Sequence, residues 1–333
     1  MSRQSHLLAP KPGRLSLRDL EMSLATRLSS FAILGIDLKI TPKDDCKIIE
    51  VNGIHSGMKG FGLAGVVPVM HAPDDSYLLP PPSSEFNACE RSVQYYLALN
   101  LGTKVAHFIV KHLEEMDFQP SYLARYTHDL IGENALDQAS RPLAEMLFGI
   151  EQILQDKLQT DAHFQNAREW KPKTYATIQE LLKAETATYI VRKPQKGMRG
   201  VGVEILGTDN LDELTEKPET VVESFVYSKP ILHDAQGTYH DGCMRYIIVV
   251  EDCITSGKIE RTHFGGYWRL CPLPIDKYGH IDSMRANLAQ GAIAQRASSE
   301  DLEIVQKSVD AFVPLFYRSL VHEVKERILQ QTI

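Results

Sequence analysis

The 333-residue sequence has no uninterrupted apolar run near the roughly 18 residues that a membrane-crossing helix needs, so no contact with a membrane is expected. Met1 to Arg14 is polar and lacks the apolar stretch of a secretory signal peptide; it is expected to be a loose tail. There is no surplus of positive charge. The 36 Lys and Arg residues stand against 43 Asp and Glu, for a net charge of −7. A general nucleic-acid binder needs excess cations to neutralise phosphates, so that class is excluded. The five cysteines, Cys46, Cys89, Cys243, Cys253 and Cys271, contain no C-x-x-C pair, which argues against a disulfide framework or a structural zinc site. Each is expected to be a small buried hydrophobe in a reducing, cytoplasmic compartment. Internal repeats and low-complexity tracts are missing too. What the chain does have is ordinary globular material: 43% hydrophobic and 24% charged residues, enough for a core and, at this length, for two or three lobes.

Local patterns divide the chain. Leu17, Leu20, Leu24 and Leu28 recur at helical spacing. Phe31–Ile40 and Lys47–Asn52, separated by Thr41-Pro42-Lys43-Asp44-Asp45, predict a β-hairpin. Residues 53–65 hold five glycines and form a loop; Leu79–Ser84 contains three consecutive prolines. Residues 85–165 are mostly helical in pattern, with a helix opening at Arg141-Pro142 and running to about Leu158. Beyond Trp170 come a short extended element (Lys171–Tyr175), a helix (Ile178–Lys183) and a series of strands at Tyr189–Lys193, Val201–Leu206, Val221–Tyr227, Met244–Glu251 and Ile259–Leu270. A helix from Ser299 to about Leu329 closes the chain. Ser298 and Asp301 suggest a capping box at its start, and Pro314 a kink.

Four constellations carry possible chemistry. In the hairpin, a turn centred near Lys43 sets Asp37 opposite Glu50, with Asn52 on the same face as Glu50 and with Ile49 and Val51 toward the core. Like charges facing across a hairpin are destabilising, and a divalent cation between them removes that penalty; oxygen-only ligands suit Mg²⁺. An exposed polar face is the equal alternative. Tyr189–Gly202 delivers Lys193 at the end of a strand into a G-x-x-G-x-G loop, Gly197, Gly200 and Gly202, whose backbone can approach phosphate oxygens. Alone, such a loop is more often a flexible hairpin tip. In Val221–Val226, Glu223 can accept a hydrogen bond from an adenine amino group, and the backbone of Ser224 to Val226 can meet the ring edge. Arg245 and Arg269 each lie within a strand-like run. A buried Arg needs an anion, either a structural carboxylate or a phosphate or acyl-phosphate oxygen.

In this order the elements resemble the ATP-grasp superfamily. Tyr189–Gly202 looks like its strand-Lys-Pro-glycine loop, Val221–Val226 like its adenine hinge, and Asp241–Arg245 like the phosphate-contacting Arg region of tubulin tyrosine ligase-like members. Arg285–Gly291 resembles the stretch after the family's lid. Asp37, Glu50 and Asn52 match its Mg²⁺-binding Asp strand followed by E-x-N, including the 13-residue gap from Asp to Glu. In most of the family that hairpin comes last; here it comes first. Circular permutation, as in eukaryotic glutathione synthetase, explains the order. That enzyme's Lys-Pro-Gln also resembles Lys193-Pro194-Gln195, although it has an acidic metal ligand where this chain has Gly197. The family's ribose-binding Glu has no counterpart in Tyr227-Ser228-Lys229-Pro230, and Gly35 stands where some members place an Arg.

The resemblance implies an α+β or α/β fold: a permuted ATP-grasp domain formed by residues 15–65 and 151–333, around a helix-rich substrate domain, 66–150, of the kind that precedes the ATP-grasp unit. It implies ATP and two Mg²⁺ ions as cofactors. Metal would be held by Asp37, Glu50 and Asn52, and nucleotide by Lys157 (Lys173 is a poorer choice), Lys193, Gly197, Gly200, Gly202, Glu223 and Val226. Arg245 and Arg269 would act on the developing charge. The implied activity is an ADP-forming ligase that joins a small-molecule or peptide carboxylate to an amine, or to a thiol, through an acyl phosphate. The alternatives are a kinase using the same site and a non-catalytic nucleotide-binding or interaction protein. His55, just past the hairpin, is a lesser candidate for touching substrate, a surface loop His being the more common case.

Overall fold

The computed structural model describes residues 28–53, 141–184, 186–197, 201–209, 215–254, 256–277, 286–288 and 291–331. The expected tail, the loop and proline run after Gly53, most of the 66–150 domain, and His55, Cys89, Gly200 and Arg285 lie outside them. So does the expected N-terminal helix except for its last leucine, Leu28, which opens a strand instead.

Strands β1 (Leu28–Ile40) and β2 (Cys46–Asn52) form the expected hairpin. Its turn is closed by Thr41 and Asp45, with Asp44 at a φ of 59°, a conformation Asp tolerates better than most side chains. The later strands β8 (Gly242–Cys253), β9 (Lys258–Leu270) and β10 (Ile293–Arg296) join this hairpin in one five-stranded sheet, ordered β10-β9-β8-β1-β2. A second sheet, β4-β3-β5, is built from β3 (Tyr189–Pro194), β4 (Glu204–Gly207) and β5 (Thr220–Ser224). A small hairpin pairs β6 (Ile231–His233) with β7 (Thr238–His240). Among the described residues every strand pairing is antiparallel. The described part of the chain is therefore mixed α+β, with antiparallel sheets.

One face of the large sheet is the core. Ile36, Leu38, Met244, Tyr246, Trp268 and Leu270 pack there against helices α1 (Arg141–Leu154) and α4 (Ser299–Gln331). Val305, Val309, Phe312, Phe316, Leu320 and Val324 of α4 recur every three or four residues and form its buried stripe. Ser298 caps this helix by accepting the Asp301 N–H at 3.1 Å. The carboxylate of Asp301 goes instead to Trp268 Nε1 and Lys229. The helix continues through Pro314.

Three local expectations need correction. Ile49 is only half-buried; Cys46, Ile48 and Val51 face the core. A bulge between Asp37 and Leu38 pairs them with Glu50 and Ile48, so Ile49 is skipped and the alternation resets. The helix from Arg141 stops at Leu154 rather than Leu158, because Asp156 starts a new one, α2 (Lys157–Ala162), by accepting the N–H groups of Leu158 and Gln159. The strand expected from Val201 begins at Glu204, and that expected to reach Tyr227 ends at Ser224. Helix α3 (Ile178–Ala184) follows the extended Lys171–Tyr175 element, whose Tyr175 exchanges two backbone hydrogen bonds with Val222.

Candidate functional site

The face of the large sheet opposite the helices carries the charge. Residues two apart on a strand share a face, so Asp37 and Lys39 of β1 stand beside Cys243 and Arg245 of β8, and Tyr267 and Arg269 of β9. The registers align Asp37 with both Glu50 and Arg245, and Cys243 with Arg269. Asp37, Arg245 and Arg269 are all buried. Arg245 grips the Asp37 carboxylate through both Nε and Nη2, the latter at 2.8 Å, and Arg269 Nη2 adds a contact at 2.6 Å. Burial alone would push the Asp37 carboxyl up, but the two guanidiniums outweigh it and hold the group below the usual carboxylate range. Burial pushes the Cys243 thiol up, so it stays protonated beside Arg269.

Glu50, opposite Asp37, is partly exposed and meets Lys157 Nζ at 3.5 Å. The cross-hairpin repulsion expected from the sequence is thus offset by the protein's own cations, two on Asp37 and one on Glu50. Asn52 Nδ2 approaches the Gly35 carbonyl at 3.4 Å. Lys157 is the first residue of α2 and also donates to the Gly197 carbonyl at 3.2 Å. The root of the glycine loop is pinned to this helix start. Gln195 O accepts the Lys157 N–H, and Gln195 Nε2 donates to Asp156. Gly202 has a φ of +72°, and a Cβ there would come within 2.9 Å of Pro194, so this turn requires glycine.

Lys193 leaves β3 toward the same place. Its Nζ donates to Glu223 Oε2 at 2.8 Å and to the Ile49 carbonyl at 3.3 Å, which ties the small sheet to the bulge of β2. Burial would lower the Lys193 pKa, but Glu223 and Glu50 raise it above its ordinary value, so the ammonium is charged. Glu223 also accepts from Lys171 Nζ at 2.9 Å and Thr174 Oγ1 at 3.0 Å. Against the upward push of burial, the two lysines bring the Glu223 carboxyl down to about 2. These three partners take most of the acceptor positions of the carboxylate. Val226 follows β5 in an irregular, half-buried stretch.

The structure brings the expected residues together in three contact groups: Asp37 with Arg245 and Arg269, Lys157 with Glu50 and Gly197, and Lys193 with Glu223. The pairing of Asp37 with Glu50 and the Lys193 bond to the Ile49 carbonyl join these groups, and Asn52 lies two residues along β2. Lys173 turns to the Tyr175 ring instead. Lys171, Thr174 and Lys39 were not anticipated. Lys171 and Thr174 belong to an extended element whose burial against Glu223 has no local signature. Lys39 repeats the Asp37 spacing; its Nζ lies 2.7 Å from Asp241 and 4.4 Å from the Phe225 ring centre.

Two buried donors in this cluster, Arg245 Nη1 and Arg269 Nε, have no hydrogen-bond partner among the described residues. Leaving such donors unmatched is costly, and an anion seated on this face would satisfy them. Two carboxylates in register plus a neighbouring amide supply oxygen donors of the kind Mg²⁺ takes. Among the described residues, no group of three or more His, Cys, Asp or Glu side chains comes together, and no helix is long and apolar enough to cross a membrane. The chain matches no known family model and no curated protein.

Proposed function

We propose that the protein is an ATP- and Mg²⁺-dependent ligase of the ATP-grasp type, permuted so that the metal-binding hairpin comes first. It joins a carboxylate to an amine, or to a thiol, with release of ADP. The observation that carries this reading is a charged sheet face on which Arg245 and Arg269 hold Asp37, beside which Lys157 meets Glu50 and Lys193, paired with Glu223, reaches the Ile49 carbonyl, with two guanidinium donors unmatched among the described residues. It is supported by the hairpin's place beside β8, which unites segments from the two ends of the chain in one sheet.

In this reading Lys157 and Lys193 hold the phosphates as point charges, and the loop from Gly197 through Gly200 to Gly202 brings backbone N–H groups to them. Val226 and the backbone beside it line the base. Glu223 acts on the nucleotide through Lys193 and Lys171, which it orients. Asp37, Glu50 and Asn52 would hold Mg²⁺, whose bound form supplies Lewis-acid charge neutralisation. Arg245 and Arg269 offer planar donors to phosphate oxygens and to the acyl-phosphate charge that develops during phosphoryl transfer. No side-chain nucleophile is required, which fits a charged face whose thiol, Cys243, is kept protonated. Buried thiols rather than disulfides at Cys46, Cys243, Cys253 and Cys271 suit a reducing, cytoplasmic setting.

The test is ADP release in Mg²⁺ against pools of amino acids, dipeptides and polyamines. A productive pool should raise ADP release and yield an amide or thioester. Lys193→Ala and Glu50→Gln should lower the rate by about 100-fold or more, the scale of losing one preorganised charge contact. Undiminished turnover in both variants would overturn the assignment.

A further inference from the structure

The proposed roles of Asp37 and of its two arginines exclude one another in the arrangement described above. A carboxylate offers about four lone-pair positions. Three contacts already fill most of them: Arg245 Nε and Arg269 Nη2 on Oδ1, and Arg245 Nη2 on Oδ2. Asp37 cannot be both the centre of this fork and an open metal ligand. Nor can the arginines offer those same donors to a phosphate.

The electrostatics point the same way. Two guanidiniums around one carboxylate leave a local positive charge, and Lys157 at 3.5 Å offsets Glu50. A dication approaching this face meets repulsion in a buried, weakly screened setting. Mg²⁺ also sheds its water reluctantly. A polyphosphate reverses each of these terms. It brings several negative charges, and it can take the arginine donors, including the unmatched Arg245 Nη1 and Arg269 Nε.

We infer that in the nucleotide-free protein the metal position is closed by the protein's own cations, and that nucleotide phosphates open it by drawing Arg245 and Arg269 away from Asp37. Asp37 is thus a competitor for phosphate before it is a ligand for metal. Metal and nucleotide are coupled through this exchange, and by linkage each strengthens the binding of the other. The inference rests on the ligase reading for the identity of the anion.

The exchange predicts a change of sign that a simple metal ligand would not show. The non-hydrolysable analogue adenylyl imidodiphosphate is titrated calorimetrically into wild type and Asp37→Asn, once in EDTA and once in Mg²⁺. In EDTA, Asp37→Asn frees the arginines and should tighten binding by about 5- to 150-fold, the usual range of coupling between sites. In Mg²⁺ it should weaken binding. A second arm titrates Mn²⁺ without nucleotide. Wild type should show no site in the micromolar range, whereas Arg269→Gln, which loosens the grip on Asp37, should gain one. This arm decides the matter if Asp37→Asn does not fold. Unchanged or weaker analogue binding by Asp37→Asn in EDTA, micromolar Mn²⁺ binding by nucleotide-free wild type, or no gain in Arg269→Gln would each overturn the inference alone. Absence of analogue binding by wild type in both buffers would overturn it together with the nucleotide reading.

Discussion

Glu223 sits between two buried ammonium groups, and each of the three charges depends on the others. Truncating one member of a buried ion pair leaves its partner uncompensated, which costs roughly 3–5 kcal/mol. Glu223→Gln should therefore lower the free energy of unfolding in urea by about that much, since Lys171 and Lys193 would both lose their counter-charge. The same carboxylate makes stability depend on acid. Its pKa falls from an ordinary 4.5 to about 2 on folding. A depressed carboxyl stabilises the fold fully above its unfolded value and loses that contribution as pH falls toward the folded one. The urea midpoint should decline between about pH 5 and pH 2 in wild type, and less steeply in Glu223→Gln. Positions were legible in the sequence where turn chemistry sets a register: Asp37 stands opposite Glu50 as the hairpin predicts, and Lys193 lies near the end of its strand, ahead of the glycines. Lys171 was not legible, because a lysine beside a proline gives no sign that the chain will fold it onto a carboxylate 52 positions away.

The elements were more legible than their junctions. The hairpin, the register of Asp37 against Glu50 and the long closing helix followed from periodicity and turn chemistry. The bulge that skips Ile49 and the restart of the helix at Asp156 did not, since both are set by side-chain and tertiary hydrogen bonds rather than by apolar period. Helix α4 carries a pH dependence of its own. His163 meets Ser319 and Glu323 of this helix, with Arg327 nearby. His263 meets Asp310 of the same helix, as well as Tyr246 and Arg261. Burial lowers the pKa of both imidazoles below the ordinary 6.5, outweighing the pull of Glu323 and Asp310. Both are neutral in the fold at pH 7. Groups lowered in this way contribute stability above the unfolded pKa and lose it as pH drops below it. Resistance to urea unfolding should therefore weaken as pH falls from about 7 to 5, above the range where Glu223 titrates, and replacing both histidines with Gln should flatten that step.

At the scale of the whole molecule, the large sheet separates two kinds of burial. One face is apolar against α1 and α4; the other gathers lysines, arginines and carboxylates from the N-terminal hairpin, the start of α2, the small sheet and β8–β9. A net charge of −7 gave no hint of this, because the cations that matter are local and already paired. The joining of β1 to β8 across more than 200 residues of sequence is what makes the hairpin part of the site. Its position near the start of the chain was legible, whereas its neighbour in the sheet, set by pairing across that distance, was not. The most direct test of the central claim is calorimetric titration of adenylyl imidodiphosphate with Mg²⁺ into wild type, Lys193→Ala and Glu50→Gln. One nucleotide per chain in wild type, weakened in both variants by about tenfold or more, is the predicted result. No binding by wild type, or equal binding by all three proteins, would contradict it.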